Sequence, residues 1–386
     1  MKQFFERLAH TSKINVGNFL KILLDILFKQ KKGSASRLFQ GLSNPQTPSG
    51  CDSELLFKPI PLPCPKPAFF MPGLTEEQYV QNLSNYQDKF TEPAGVISVS
   101  NINVSLPTGM HMWQGKVFEE ALLGTELLTN PKYMLDLETI PFRKKTIIKE
   151  PVVLLSLPWH HNFYHWLIEI LPRLQLYDLS EHLQGLRIVV PNSASKFVKA
   201  SLSLTKYIDQ VWFLNDGVYQ FEKLHILSRL SKAGDVSPLA IKWLNENLVN
   251  QQTSSPRKRI YVSRADAKYR FVTNESEVQN LLSHFGFETV VMTKYSLEEQ
   301  IQIFQQAEIV IGSHGAAFGH SAFMNPGSVL IEFFQSGHLT DCFFRIANLK
   351  QLKYGFLVGQ SDGLGFSVDT TQLRSILEKA LSPAHF

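Results

Sequence analysis

The segment of this sequence with the clearest chemical potential is E-I-V-I-G-S-H-G-A-A-F-G-H, residues 308–320. Its apolar start predicts a buried strand that ends at Gly312, and the small residues beyond it predict a turn into a helix. Backbone amides at such a turn lie at the positive end of the helix dipole and can bind phosphate. The alternative is a turn whose glycines serve backbone geometry alone. The residues expected to line the anion site are Ser313, His314, Gly315 and Ala316.

Two arginines are expected beside this turn. Arg264 and Arg270 lie in S-R-A-D-A-K-Y-R-F-V-T-N-E, residues 263–275, directly after a predicted strand. Because the carboxyl ends of parallel strands meet at one edge of a sheet, both guanidinium groups would approach the turn and could neutralise a diphosphate. Glu332 ends another predicted strand, where a carboxylate can accept hydrogen bonds from ribose hydroxyls. The alternatives are ordinary ion pairs, such as Arg270 with Glu275, and a strand-end salt bridge at Glu332.

A second candidate cluster lies in P-W-H-H-N-F-Y-H-W-L-I-E-I-L-P-R-L, residues 158–174. His165 and Glu169 are four residues apart, on one face of a predicted helix that Asn162 would cap. A carboxylate that fixes an imidazole allows that imidazole to act as a general base. Two alternatives stay open: a histidine that only satisfies hydrogen bonds under Trp166, and a zinc site made with His161.

Several common catalytic motifs are absent from the sequence. There is no D-x-D, and its nearest approach, residues 136–138, lies outside both series of strands and helices described below. Diphosphate chemistry clamped by a metal ion is therefore not indicated, and we expect neither a metal nor another cofactor. A G-x-S-x-G elbow, a Walker loop and H-E-x-x-H are also missing, so hydrolase and kinase functions lose their usual sequence signals.

The candidate residues belong to two series of alternating strands and helices. In the first, apolar runs at 152–157, 187–191 and 211–214 alternate with helical patterns at 166–176 and 194–208, after a strand-like stretch at 95–106. The second series follows a polar break at 250–256. Its predicted strands are 259–263, 287–292, 308–312, 328–334 and 352–358, and its predicted helices lie near 274–285, 297–306, 315–324 and 340–349. This order implies parallel sheets.

At 386 residues the chain is long enough for two domains. We predict an α/β protein with two Rossmann-like domains that face a cleft: an acceptor-side domain over 66–250 and a nucleotide-binding domain over 251–386. Residues 1–65 are predicted to be a basic amphipathic helix followed by a Pro-rich arm. The helix, over residues 1–32, could lie on an anionic membrane or pack on the protein itself.

Charge and cysteine content restrict the class of protein further. Residues 1–40 carry eight basic and two acidic side chains, so the rest of the chain is close to neutral, since the net charge is +4. A nucleic-acid binder would need a concentrated basic face, so we do not expect this nearly neutral part of the chain to bind nucleic acid. Three cysteines without a C-x-x-C pair favour a reducing compartment. No signal peptide or membrane span is predicted, and we expect a cytoplasmic protein, attached peripherally to the membrane if the helix binds lipid.

In combination, four motifs resemble glycosyltransferase family 61, which includes plant xylan xylosyl- and arabinosyltransferases, animal O-linked N-acetylglucosaminyltransferases and bacterial capsular-polysaccharide proteins. The similarity spans residues 149–332. Its motifs are N-F-Y-H-W-L-I-E-I-L-P-R-L at 162–174, S-R-A-D-A-K-Y-R-F-V-T-N-E at 263–275, Y-S-L-E-E-Q-I-Q-I-F-Q-Q-A at 295–307, and G-S-H-G-A-A-F at 312–318 with P-G-S-V-L-I-E at 326–332. The chain departs from the family pattern at Gly319 and His320, where Thr-Asn is common. The bacterial capsular type is the closer analogue, because no lumenal anchor is predicted.

The resemblance implies a GT-B-like fold and inversion at the anomeric carbon of a nucleotide-sugar, usually UDP-linked, without an essential metal. By the same resemblance, Glu332 would lie near the nucleoside, and His165 with Glu169 would border the acceptor side. The residues implied to line the donor diphosphate are Arg264, Arg270, His314 and Gly315.

Our principal hypothesis is an inverting glycosyltransferase of surface polysaccharide biosynthesis, acting on a glycan or lipid-linked acceptor, with His165 favoured over Glu169 as the general base. Two other classes are considered. One is a catalytically silent protein of the same fold that binds saccharide or nucleotide. The other is a zinc hydrolase built on His161, His165 and Glu169.

Overall fold

The computed structural model describes residues 38–40, 42, 49–62, 89–249 and 257–382. The helix predicted over residues 1–32 lies outside them, as do the polar break at 250–256 and most of the Pro-rich arm. In the described part, strands and helices combine into a mixed α/β structure. The predicted α/β class is therefore confirmed.

The strands of these residues range in length from 2 to 13 residues, and most are buried on at least one face. They are β1 Leu38–Phe39, β2 Cys51–Phe57, β3 Pro61–Leu62, β4 Lys89–Phe90, β5 Ala94–Leu106, β6 Met110–Met112, β7 Val117–Phe118, β8 Lys145–Ile148, β9 Val152–Leu154, β10 Arg187–Pro191, β11 Val211–Leu214, β12 Gly217–Leu227, β13 Lys258–Val262, β14 Phe287–Val290, β15 Ala307–Ser313, β16 Val329–Gln335, β17 Lys353–Asp362 and β18 Gly365–Ser367.

The α-helices are α1 Pro131–Thr139, α2 Leu174–Leu179, α3 Lys196–Ser203, α4 Pro238–Leu248, α5 Glu275–His284, α6 Leu297–Gln305, α7 Cys342–Leu349 and α8 Thr370–Ala380. Short 3-10 helices and one π-helix complete the described part, and the two that matter most for the site are the π-helix His165–Ile170 and the 3-10 helix Ala316–Phe323. None of the helices in this part of the chain is long and apolar enough to cross a membrane.

The second half of the chain forms a six-stranded sheet in the order β14-β13-β15-β16-β17-β18. Its first five strands are parallel, and only the edge strand β18 is antiparallel. Counted along the chain, the parallel strands are in the order 2-1-3-4-5, so the direction of winding reverses between β13 and β15. Ligands of such sheets bind at this reversal, beyond the carboxyl ends of the two strands.

Side chains of β15 alternate between two apolar cores, as the period of a strand requires. Ile309 and Ile311 pack with α5 and α8 on one face of the sheet. Val310 faces the other side, where it joins a cluster that also contains the buried residues of β9 and β10. The two halves of the chain therefore share one continuous apolar core.

The first half forms an eight-stranded mixed sheet, with β11-β10-β9-β12-β5-β2 in order, β6 beside β5 and β8 beside β12. The pairings among β8, β9, β10, β11 and β12 are all parallel. By contrast, β5 is antiparallel to β12, and β2 and β6 are antiparallel to β5. This sheet therefore differs from the predicted second Rossmann-like sheet. It also includes Cys51–Phe57, which lies within the stretch predicted as an arm. The predicted domain boundaries stay predictions.

The helix Ala316–Phe323 packs closely against the π-helix His165–Ile170, and this contact brings the two candidate clusters together. The two helices meet at Gly319, where a Cβ would lie 3.7 Å from Leu167 and 3.8 Å from Tyr164, which are ordinary packing distances. Next to it, the His320 ring stacks on Phe163, with ring centroids 4.7 Å apart. The residues that depart from the family pattern thus lie at the contact between the two halves.

The His320 imidazole is a buried, neutral group. Its Nδ1 lies 2.9 Å from the Ala317 carbonyl, and its Nε2 has no partner among the residues that the structure describes. Burial lowers the pKa of His320 to about 4, with only the backbone hydrogen bond opposing it. In the unfolded chain the same imidazole would be protonated below about pH 6.5.

This difference predicts a loss of stability in acid. The unfolded state binds a proton at His320 as the pH falls below 6.5, and the folded state does not until about pH 4. The free energy of unfolding should therefore fall by about 2 kcal/mol between pH 7 and pH 5 through this residue. His320→Phe keeps the ring but removes the titration, so urea unfolding of the variant should show a smaller fall than wild type by about that amount. Equal pH dependence of the two proteins would contradict the prediction.

Candidate functional site

Arg264 and Gly315 meet at the point where the winding of the second sheet reverses. Arg264 lies just beyond β13, and Gly315 lies just beyond β15. A Cβ atom at residue 315 would be 1.8 Å from Arg264 Nη1 and 2.8 Å from its Cζ. The guanidinium thus occupies the space that a side chain would fill, so here the glycine serves close approach. Its φ of −179° is one that any residue adopts.

The Arg264 guanidinium is only partly satisfied by the protein. Nη2 donates to the Tyr269 carbonyl over 3.1 Å, whereas Nε is buried without a partner in the described part of the chain. Burial and the nearby Arg270 lower the pKa of Arg264, and Asp266 partly opposes them. An anionic ligand would offset both the burial of the Arg264 charge and its repulsion from Arg270, so this pair of cations favours such a ligand.

Arg270 is held in a left-handed backbone conformation, with φ of 58°. Its Nη1 donates to His338 Nε2 over 2.6 Å, and its backbone N–H donates to the Leu364 carbonyl over 2.7 Å. The alternative pairing with Glu275 is not formed, because that carboxylate accepts from the Tyr261 hydroxyl. Strained residues of this kind cluster at functional sites, and the conformation fixes Arg270 near Arg264.

His314 directly follows β15, and Glu332 lies on the neighbouring strand β16. The two side chains form a buried pair. His314 Nδ1 hydrogen bonds to one carboxylate oxygen of Glu332, and the Tyr354 hydroxyl donates to the other over 2.6 Å. Glu332 is fully buried, with 0% of its surface exposed. Its position differs from the predicted ribose contact, since the carboxylate holds the His314 ring instead of facing a ligand. Burial lowers the pKa of the adjacent His338, as do the charges of Arg270 and His314.

Fewer backbone amides of the turn are available to bind an anion than the sequence predicts. The N–H of His314 donates to the Phe333 carbonyl over 2.8 Å and so belongs to the sheet, and Ser313 is a buried residue of β15. The first bond of the following helix runs from the Phe318 N–H to the Gly315 carbonyl. The amides of Gly315 and Ala316 precede that bond and lie outside the helical pattern. The predicted amide set thus reduces to these two residues.

His165 and Glu169 form the second cluster, as the sequence predicts. His165 Nδ1 lies 2.6 Å from a Glu169 oxygen, and the other oxygen accepts from the Gly234 N–H over 2.8 Å. Asn162 caps the start of the helix, since its side chain accepts from the Tyr164 N–H over 2.9 Å. The Glu169 side chain is 2% exposed and the His165 side chain 20%. The carboxylate therefore fixes a ring that solvent and ligands can still reach.

Trp159 stacks on His165, with ring centroids 4.8 Å apart and an interplanar angle of 23°. Its φ is 70°, which is unusual for a bulky residue. The imidazole is thus held on one edge by a carboxylate and on one face by an indole. This geometry suits a positioned base, because both the ring orientation and the bonded nitrogen are fixed.

Aromatic rings connect the two clusters. Tyr164, next to His165, packs edge-on against Phe343 at 5.5 Å, and Phe343 lies 5.0 Å from His314. The Cys342 thiol lies in the same region, since burial and then the charges of Glu332, Asp341 and Glu169 raise its pKa. Tyr164 and Phe343 thus bridge the His165 pair and the His314 pair, and the predicted common pocket stays a prediction.

The zinc alternative gains no support from the arrangement of side chains. His161 lies in the turn that precedes the helix, off the face that carries His165 and Glu169. Over residues 89–249 and 257–382, and in the shorter described segments, no group of three or more His, Cys, Asp or Glu side chains could hold a metal ion.

Sequence reasoning missed three residues of the site: Trp159, His338 and Tyr354. His338 follows β16, so the rule that placed Arg264 beyond a strand end could have found it. Trp159 reaches His165 because of its left-handed backbone conformation, and Tyr354 reaches Glu332 because of the pairing register of β17. Neither the conformation nor the register can be read from the sequence.

A doubly wound sheet with arginines and a glycine at its switch point is an anion-binding arrangement of the α/β class. Residues 163–331 match the family model Glycosyltransferase 61. The resemblance stated from the sequence motifs is thereby confirmed.

Two relatives resemble the chain over part of its length. A Beta-1,2-xylosyltransferase of Oryza sativa subsp. japonica is 24% identical over 144 residues, covering 33% of this chain and 27% of the relative. An EGF domain-specific O-linked N-acetylglucosamine transferase of Bos taurus is 23% identical over 145 residues, covering 36% and 24%. The chain thus spans about a quarter of the length of these relatives. Both relatives are glycosyltransferases by name.

The contact between Arg264 and Gly315 generates a prediction. Gly315→Ala should displace the guanidinium, because the new methyl group would occupy its place. We expect inorganic pyrophosphate to bind about tenfold more weakly in calorimetry, the order of one charge-assisted hydrogen bond.

Gly319→Ala is the matched control, since its methyl group would meet ordinary contacts at 3.7–3.8 Å. It should leave pyrophosphate affinity unchanged. Equal affinities of all three proteins would show that the guanidinium does not depend on the glycine.

Proposed function

We propose that this chain is an inverting glycosyltransferase that moves a sugar from a UDP-linked donor to a hydroxyl of a glycan or lipid-linked acceptor in surface polysaccharide biosynthesis. One observation carries the proposal: the cations at the switch point of a doubly wound sheet are connected, through the rings of His314, Phe343 and Tyr164, to the segment of the other half that carries a carboxylate-held histidine. The glycosyltransferase family 61 domain over residues 163–331 supports it. In this proposal the two halves act as the facing parts of a GT-B-like enzyme.

The donor diphosphate would bind between Arg264, Arg270 and the amides of Gly315 and Ala316. In the reaction the bond between the anomeric carbon and the diphosphate oxygen breaks, and its electron pair stays on that oxygen. Guanidinium groups and amides stabilise the developing negative charge, each well-placed donor by about 2–4 kcal/mol. Because side chains supply this charge, we propose that the reaction needs neither a metal ion nor another cofactor.

The acceptor would bind on the side of His165. Its hydroxyl attacks the anomeric carbon from the face opposite the leaving diphosphate, which inverts the configuration there. The hydroxyl proton passes to His165 Nε2, because Nδ1 is already engaged by Glu169. Glu169 is a positioning residue in this proposal, since both its oxygens have partners in the protein.

We also propose that residues 1–32 hold the protein at the cytoplasmic face of the membrane, where lipid-linked acceptors are reached. The proposal rests on the basic amphipathic pattern of that segment alone.

Arg264→Ala tests the donor site. We expect release of UDP from UDP-sugars, in the presence of acceptor, to fall about 100-fold or more, with an unchanged melting temperature. Arg259→Ala is the matched control: Arg259 lies at the other end of β13, where it pairs with Glu308 over 2.7 Å, and its loss should leave turnover unchanged. Near-normal turnover of Arg264→Ala would contradict the donor site. Absence of UDP release from wild type would favour the silent binding protein.

His165→Ala tests the base. We expect kcat to fall about 100-fold to 10,000-fold while the KM for the donor changes little, because the proton acceptor is lost and the donor contacts are not. Glu169→Gln should give a smaller fall, since the ring keeps a hydrogen-bonding partner. Steady-state kinetics of the three proteins measures both effects. A larger loss in Glu169→Gln than in His165→Ala would reverse the assignment.

A further inference from the structure

Beside the two arginines of the proposed donor site lies an exposed aromatic ring. Tyr269 precedes Arg270 in the chain and is 60% exposed, although most aromatic side chains of the described residues are buried. We infer that the Tyr269 ring is the stacking surface for the nucleobase of the donor. The inference rests on the proposed function and extends it from the diphosphate to the base.

The backbone fixes the position of Tyr269 relative to both cations. Its carbonyl accepts from Arg264 Nη2 over 3.1 Å, so the peptide after Tyr269 touches one guanidinium. The next residue is Arg270, whose Cα is about 3.8 Å from that of Tyr269. The left-handed φ of Arg270 turns the chain at this point. A ligand whose phosphates contact the two arginines therefore lies next to the backbone of Tyr269, which carries the exposed ring.

A second exposed apolar side chain borders the same place. Leu364, in the turn between β17 and β18, is also 60% exposed, and its carbonyl accepts from the Arg270 N–H. The segment that follows Arg270 runs along the hairpin of β17 and β18, since the Thr273 N–H donates to the Phe366 carbonyl over 2.9 Å. Tyr269 and Leu364 thus lie on two segments that are hydrogen bonded to each other.

The chemistry of this surface fits one end of a nucleoside diphosphate. Its phosphates need cations and amides, which Arg264, Arg270 and Gly315 provide, and its base needs a flat apolar surface. Aromatic side chains bind bases through their faces without regard to base identity. The acceptor is not the expected occupant, because its proposed site lies by His165 and Trp159, on the other half of the chain.

The test compares a nucleoside diphosphate with the bare diphosphate. UDP, GDP, ADP and inorganic pyrophosphate are titrated calorimetrically into the full chain and its variants. We expect Tyr269→Ala to weaken the best-bound nucleotide about tenfold and to leave pyrophosphate affinity within about twofold. Tyr269→Phe should bind like wild type, because it keeps the ring. Phe142→Ala is the matched control, since this ring is 88% exposed but lies on the first half.

The outcomes separate this inference from the proposed function. If Arg264→Ala weakens nucleotide binding and Tyr269→Ala does not, stacking is overturned and the donor site stands. Equal weakening of nucleotide and pyrophosphate by Tyr269→Ala would also overturn stacking, because it would point to a disturbed arginine. If wild type binds pyrophosphate but none of the three nucleotides, the proposed nucleotide-sugar donor is overturned, and the role of Tyr269 with it.

Discussion

A guanidinium group lies in the space above Gly315 that a side chain at this position would fill. Two strands of one sheet must end side by side for this contact to form, and the residue after His314 must have no Cβ. Partial burial and the like charge of Arg270 make the position costly for Arg264, whose pKa they lower. The protein tolerates this cost at the place where a doubly wound sheet binds anions, and the surrounding residues hold the cation there.

Two pairs of histidine and carboxylate serve the two sides of the site, and their burial separates their roles. Glu332 is inaccessible and braced by Tyr354, so it fixes His314 within the framework of the sheet. Glu169 is nearly as buried, but its partner His165 keeps an exposed edge beneath Trp159. The same chemical pair is therefore enclosed in one half, whereas in the other half it leaves the histidine that we propose as the base accessible.

The parts of this site that could be predicted from the sequence depend on the spacing of residues along helices and strands and on the order of strands in a parallel sheet. Alternating strands and helices placed Arg264 and the 312–318 turn at one sheet edge, and a four-residue spacing placed His165 over Glu169. Contacts that depend on rare backbone conformations could not be predicted, since nothing in the sequence marks the left-handed φ of Trp159 or Arg270. The first sheet was predicted less well, because β2 and β5 pair over a long separation in sequence that local patterns do not encode.

The apolar core that both sheets share limits how ligands can enter. A hinge opening between the halves would separate Phe163 from His320 and expose ring surface that is now buried, at a cost that grows with the area exposed. Loop movement costs less: residues 336–338, which carry His338, are exposed and include Gly337 at a φ of 83°. In the proposed function, the nucleotide would therefore enter and leave by displacement of this short segment, while the two sheets stay packed together.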